Sequence, residues 1–181
     1  MRIIAGEARG RLIEAPAGLH TRPTLDRVRE NMFNIIQAFI PGSRILDLFS
    51  GSGALSLEAL SRGAEYAVMV DSDRNAHEVQ KKNIEKLRYS ERARLYNCDW
   101  RKAVSELQKN HDAFDVVFLD PPYAMSDLQE VFSSLHSLIQ HDSLVVLEHE
   151  SGKEIQVPGN YELIKQRSWG FCAVSLYRPK E

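Results

Sequence analysis

Asp120, Pro121, Pro122 and Tyr123 follow directly on the apolar run Val116 to Leu119. Two consecutive prolines stiffen a loop and remove two amide donors, which leaves the Asp120 carboxylate and the Pro121 carbonyl facing outward as a pair of acceptors. Such a pair suits the two hydrogens of a planar NH2 group. The ring of Tyr123 adds a face on which a heteroaromatic ring can stack. A plain turn would account for the prolines but not for the acid or the aromatic ring.

A second constellation lies upstream, in ILDLFSGSGALSL, residues 45–57. It reads as a strand, a glycine turn and the start of a helix, where Gly51 and Gly53 let a ligand approach the backbone. Ser56 stands where a dinucleotide fingerprint would place its third glycine, and Asp47 ends the strand where that fingerprint has an apolar residue. An acid there repels a pyrophosphate and welcomes a cation such as an amino group or a sulfonium. Asp71 falls about 20 residues after the turn, where a carboxylate can accept both hydroxyls of a ribose. Its alternative use is as a helix cap, for which Asp73 is better placed. Asp99 closes the following strand beside Trp100, positioned to accept from an adenine amine.

These residues need elements that carry them to one edge. From Arg44 onward strand and helix patterns alternate: RILDLF, EYAVMVD, ARLYNCD, DVVFLD and SLVVLEHE read as strands, separated by amphipathic helices, the last of them over MSDLQEVFSSLHSLI. Continuous apolar strands alternating with helices call for a mostly parallel sheet covered on both faces. Two extended runs about SWG, with no helix between them, predict a closing antiparallel hairpin. Upstream, RIIAGEARGRLIEAP reads as a hairpin. After Pro23 and Thr24 a helix should turn Val28, Met32, Ile35, Ile36 and Phe39 to one side, until Pro41 and Gly42 stop it.

At 181 residues, 43% hydrophobic and 27% charged, the chain suits one globular domain with a small appendage. We place the boundary at 1–42 and 43–181. No apolar run is long enough to cross a membrane and the start lacks the apolar core of a secretory signal, so a cytoplasmic protein is expected. Cys98 and Cys172 are too few for a disulfide framework, and no spacing suggests a metal. Residues 1–44 carry seven arginines, no lysine and four acids, a balance of +3 within a chain of net charge -2. Guanidinium groups match phosphate and stack on bases, so Arg2, Arg9, Arg11, Arg22, Arg27 and Arg29 are candidate nucleic-acid contacts. Arg22 and Arg27 could instead close over a ligand carboxylate or pair with an acid in the fold.

Asp47 through Gly53, Asp71, Asp99 and Asp120 through Tyr123 resemble the successive motifs of class I S-adenosylmethionine-dependent methyltransferases. DPPY is similar to the motif of those that act on exocyclic amines. Together with RIIAGEARGRLIEAP and TRPTLDRVRENMFNII, nearly the whole chain resembles the RsmD family, which methylates the exocyclic amine of a guanine in small-subunit (16S) ribosomal RNA. The resemblance implies a Rossmann-like seven-stranded α/β fold and S-adenosylmethionine as cofactor, with no metal. Its methionine part is expected near Asp47, Phe49, Ser50, Gly51 and Gly53. Its ribose is expected on Asp71 and Ser72, and its adenine beside Cys98, Asp99 and Trp100. Asp120 to Tyr123 would form the catalytic loop, Asp120 also counting among the cofactor-binding residues, and Asp71 stands where this class often has Glu. The implied partner is 16S ribosomal RNA, within an assembled or partly assembled small subunit, and the enzyme is expected to be a monomer. A release-factor glutamine or adenine-amine methyltransferase and a non-catalytic nucleotide-binding module are the alternatives; the release-factor enzyme would carry Asn in place of Asp120.

Overall fold

The computed structural model describes residues 1–18 and 23–181. Helix α1 (Pro23–Ile36) precedes an alternation of strand and helix: β1 (Arg44–Asp47), α2 (Ala54–Ser61), β2 (Tyr66–Val70), α3 (Arg74–Leu87), β3 (Ala93–Tyr96), α4 (Trp100–Lys109), β4 (Phe114–Leu119), α5 (Leu128–Ser134) and β5 (Ile139–Glu150). Strands β6 (Tyr161–Trp169) and β7 (Cys172–Pro179) close the chain. The seven strands form one sheet in the order β3-β2-β1-β4-β5-β7-β6. β1 to β5 are parallel, whereas β7 inserts antiparallel between β5 and β6. The expected mixed sheet with its terminal hairpin is therefore present.

Alternation along the strands divides the core in two. Ile45, Met69, Val116, Phe118 and Val146 face α1, α2 and α3, while Leu46, Val68, Val117, Leu119 and Leu147 face α4 and α5. Both faces are thus dry along Ile45–Asp47, Ala67–Val70 and Val116–Leu119, as their apolar composition requires, whereas the edge strand β3 is half-buried with Arg94 exposed. The strand order reverses between β1 and β4, and the crevice outside the strand C-termini at that point is where open α/β sheets bind ligands.

One expectation holds in irregular form and one needs correction. The N-terminal hairpin is present: Arg2 bridges Leu12 antiparallel, and the Ile3, Gly10 and Ile13 amides donate to the Arg11, Ile3 and Met1 carbonyls at 2.8–3.0 Å. Other amides of the segment go to α2: Ile4 and Ala5 donate to the Glu58 carboxylate at 2.9 and 3.0 Å, and Glu7 N donates to the Ser61 carbonyl. Gly6, at φ +85°, lies so close to Ser61 that a Cβ would sit 1.9 Å from its carbonyl oxygen. The segment thus docks against α2 as well as pairing with itself, and Ile3, Ala8 and Ile13 join the core beside Met32 and Phe33. The helix expected over 125–139 runs only through Leu128–Ser134, and β5 begins at Ile139. Leu135 and Leu138 are buried, and the Ser143 hydroxyl, which accepts from the Gln140 amide and donates to the Phe114 carbonyl, ties the early strand to β4.

α1 buries Val28, Met32 and Ile36 as its spacing predicts, and also Phe33. Among the described residues no helix is long and apolar enough to cross a membrane.

Candidate active site

The glycine turn leaves β1 and is fastened from two sides. Ser50 places both its amide and its hydroxyl on the Val70 carbonyl, at 3.0 and 2.9 Å. From α3, Gln80 Nε2 donates to the Ser50 hydroxyl and the Gly51 carbonyl, and Asn83 Nδ2 donates to the Ser52 carbonyl. Gly51 and Gly53 adopt φ of +52° and +82°, a region that disfavours other residues. A Cβ on Gly53 would also press on Met69 Sδ at 3.0 Å. Two of the turn's amides are used internally: Gly51 N donates to Asp71 Oδ2 at 2.8 Å, and Gly53 N donates to the Ser50 carbonyl at 2.7 Å. Gln80 and Asn83 escaped the sequence reading because polar residues within a helix give no signal of what they will meet.

The strand-end acids take different depths. Asp47 is 0% exposed, beneath the turn, where Ser56 Oγ donates to its Oδ2 at 2.9 Å and its Oδ1 has no partner among the described residues. Burial is the main cause of a pKa raised to about 7. The serine in place of a third glycine therefore supplies the one described side-chain donor to a buried carboxylate. Asp71 is half-buried and accepts from the Gly51 and Asp73 amides, while Asp73 caps α3 through the Asn75 amide, as its position suggested. Asp99 is exposed and caps α4 through the Arg101 amide; Trp100 beside it is buried. Asp71 and Asp99 retain lone pairs for a ligand, since an ionised carboxylate accepts about four hydrogen bonds.

Two cavities meet at the strand ends. One, of about 390 Å³, is lined by Leu48, Phe49, Gly51, Asp71, Ser72, Cys98, Asp99, Trp100, Asp120, Pro121 and Pro122. The other, of about 250 Å³, runs between the N-terminal segment, α1 and the glycine turn, with Met1, Val28, Arg29, Phe49, Ser50, Gly51, Asp120 and Glu148 among its walls. Phe49, Gly51 and Asp120 belong to both. Of the expected cofactor residues, Asp47 and Gly53 line neither: they lie one layer below and shape the turn.

Asp120 lies just beyond the end of β4. Burial holds its pKa well above the ordinary carboxylate range, and the neighbouring Glu148 and Asp47 carboxylates push it the same way. Pro121 is buried, and the Met125 amide donates to the Pro122 carbonyl, closing the loop. Tyr123 is 49% exposed, yet its hydroxyl end is enclosed enough that burial, with Cys172 and the acids nearby, raises its pKa to about 12. Lys153 Nζ donates to the Tyr123 carbonyl and holds the loop from outside. Glu148, two residues short of the end of β5, went unnoticed in the sequence. Cys172 Sγ donates to its Oε1 at 3.1 Å. Among the described residues no group of three or more His, Cys, Asp or Glu side chains is arranged to hold a metal ion.

The arginines divide. Arg2, Arg9 and Arg27 are exposed around a shallow hollow that Asp26 and Glu30 also line. Arg11, exposed, donates to the Lys86 carbonyl. Arg29 departs from the expected surface position: it is 6% exposed, its Nη2 donating to the Arg2 carbonyl at 2.6 Å and to Asp26 at 3.2 Å, with Glu58 3.8 Å from its Nε. A guanidinium so enclosed is committed to internal acceptors. Arg22 lies outside the described residues.

Comparison with known proteins places this geometry in context. Residues 1–178 match the family described as Conserved hypothetical protein 95. The chain is 36% identical, over 98% of its length and 93% of the relative's, to Ribosomal RNA small subunit methyltransferase D of Haemophilus influenzae. It is likewise 36% identical to the Putative rRNA methyltransferase YlbH of Bacillus subtilis, covering 99% of this chain and 100% of that one. Among solved structures, the Putative methyltransferase yhhF from Escherichia coli superposes with a TM-score of 0.85 at 37% identity, covering 99% of this chain and 98% of the other.

Proposed function

The chain belongs to the Conserved hypothetical protein 95 family, and from that footing we propose that it transfers a methyl group from S-adenosylmethionine to the exocyclic N2 amine of a guanine in small-subunit ribosomal RNA. The relatives named as small-subunit methyltransferases support the ribosomal substrate. The observation that carries the chemistry is Asp120, which belongs to both cavities where they join.

The residues present fit the cofactor. The larger cavity offers Asp71 and Ser72 for ribose hydroxyls, with Asp99, Trp100 and Cys98 around an adenine. The second offers Phe49, Ser50 and Gly51 for the methionine part, above the unpartnered Oδ1 of Asp47. When bound, the cofactor supplies an electrophilic methyl.

The protein's part is to make a poor nucleophile react. The lone pair of a guanine amine is delocalised into the ring. Asp120 and the Pro121 carbonyl hold its two hydrogens so that the nitrogen can pyramidalise, and the carboxylate stabilises the positive charge that develops there in an enclosed site. A paired guanine hides this edge, so the base must be unpaired or flipped, with Tyr123 as its stacking face. Arg2, Arg9, Arg11 and Arg27, in a 1–42 extension, dock RNA phosphates.

The test is transfer of labelled methyl from S-adenosylmethionine to purified small subunits, followed by nucleoside analysis. N2-methylguanosine formed by the native protein and not by Asp120→Ala is expected. Label in another nucleoside, or in protein, would overturn the assignment.

A further inference from the structure

Glu148 takes no part in holding the amine, yet it stands beside the group that does. In the parallel ladder of β4 and β5, Phe118 pairs with Val146 and Leu119 with Leu147, so Asp120 and Glu148 are the next neighbours along it. Alternation turns both toward the face of Phe118 and Val146, and both line the cavity under α1. Cys172 occupies one oxygen of Glu148, and burial together with the adjacent acids raises the pKa of this thiol, which keeps it a donor. No described residue donates to the other oxygen. The Asp120 carboxylate is also without a described donor, although it is enclosed. Two enclosed carboxylates side by side repel unless hydrogen-bond donors come between or beside them.

The amine-bearing bases differ in what adjoins the amine. Guanine presents N1–H next to its C2 amine, a contiguous run of donors, whereas adenine and cytosine present a ring-nitrogen acceptor next to theirs. Resting on the methyl-transfer reading above, we propose that Glu148 is the specificity residue of this site, its free oxygen accepting N1–H of guanine while Asp120 and the Pro121 carbonyl accept the amine hydrogens. A base with an acceptor at that ring position meets a carboxylate lone pair and is turned away. Glu148 thus reads the base, and Cys172 positions Glu148.

The experiment uses small subunits reconstituted with RNA that carries, at the mapped target position, either guanine or 2-aminopurine, which keeps the C2 amine but lacks the N1 hydrogen. The native protein should favour guanine in kcat/KM by about 100-fold, in the range by which sites built to bond a polar hydrogen reject analogues lacking it. Glu148→Gln, whose amide can donate as well as accept, should cut this preference to about 5-fold or less. Glu148→Asp, which keeps the charge, should retain more of it. S-adenosylhomocysteine affinity and the melting temperature, measured in parallel, should stay within about twofold and a few degrees. An equal preference in the native protein and Glu148→Gln would overturn the proposal, as would a native protein indifferent to the N1 hydrogen. A native protein inert on the guanine particle would bring down the methyl-transfer reading itself, and this inference with it.

Discussion

Gly51 N donates to Asp71 Oδ2 across 2.8 Å, joining two residues twenty positions apart. The bond fixes the glycine turn, and the Asp73 amide on Oδ1 holds the carboxylate from its other side. Asp71 therefore shapes the crevice and lines it at once.

Asp71→Ala should weaken S-adenosylmethionine binding by about 1.5–3 kcal/mol, through loss of charged hydrogen bonds to the ribose and of the turn's anchor. Calorimetry with S-adenosylhomocysteine measures this. Unchanged affinity would remove Asp71 from the cofactor site.

Asp120→Ala should bind the cofactor as the native protein does and lose methyl transfer by about 100-fold or more, because the carboxylate acts on charge formed in the transition state. Single-turnover transfer separates the two effects. A folded Asp120→Ala protein of near-native rate would end the clamp mechanism.

Asp47 sets a pH dependence of stability. Its native pKa, raised to about 7, lies above the value in the unfolded chain, so the unfolded state releases its proton first as pH rises. Its contribution is most favourable below about pH 4 and becomes a penalty of up to about 4 kcal/mol by pH 7 to 8. Asp47→Asn, which can still accept from Ser56, should therefore melt higher than the native protein at pH 8 and lose that advantage toward pH 4. A difference constant across this range would show that Asp47 ionises normally in the fold.

Glu58 is 0% exposed and receives Ile4 N, Ala5 N and Arg62 Nε at 2.9–3.0 Å, with Arg29 close by. Removing one partner of a buried ion pair leaves the others uncompensated, and Glu58→Ala should cost about 3–5 kcal/mol in urea unfolding. A cost below about 1 kcal/mol would mean that the N-terminal segment is held by its apolar packing alone.

The combined change of Arg2, Arg9 and Arg27 to Gln should weaken small-subunit binding and reduce the log-log salt slope by about 0.7 for each single-stranded phosphate that is no longer neutralised. Cofactor affinity should not change. An unaltered slope would put the RNA surface elsewhere, and weaker cofactor binding alone would assign these residues to the cofactor site.

Some of this was determined locally. Continuous apolar runs alternating with helical spacing placed Asp47, Asp71, Asp99 and Asp120 at the C-terminal ends of successive strands, and a parallel sheet brings such ends to one edge whatever the details of packing. The proline pair and Tyr123 carry their own stiffness and chemistry, so an acceptor role for the loop could be proposed without knowledge of its neighbours. What each acid would meet could not. Glu148 stands beside Asp120 because of the register between β4 and β5, and Cys172 reaches it only because β7 returns antiparallel along β5. Arg29 is enclosed because α2 presents Glu58 to the N-terminal segment, a pairing between positions far apart in the chain. Asp47 lies below the turn because Gln80 and Asn83 draw that turn over it. Residue type and spacing report which groups a stretch can offer; depth, partner and protonation come from packing between stretches, and that exists only once the layers have come together.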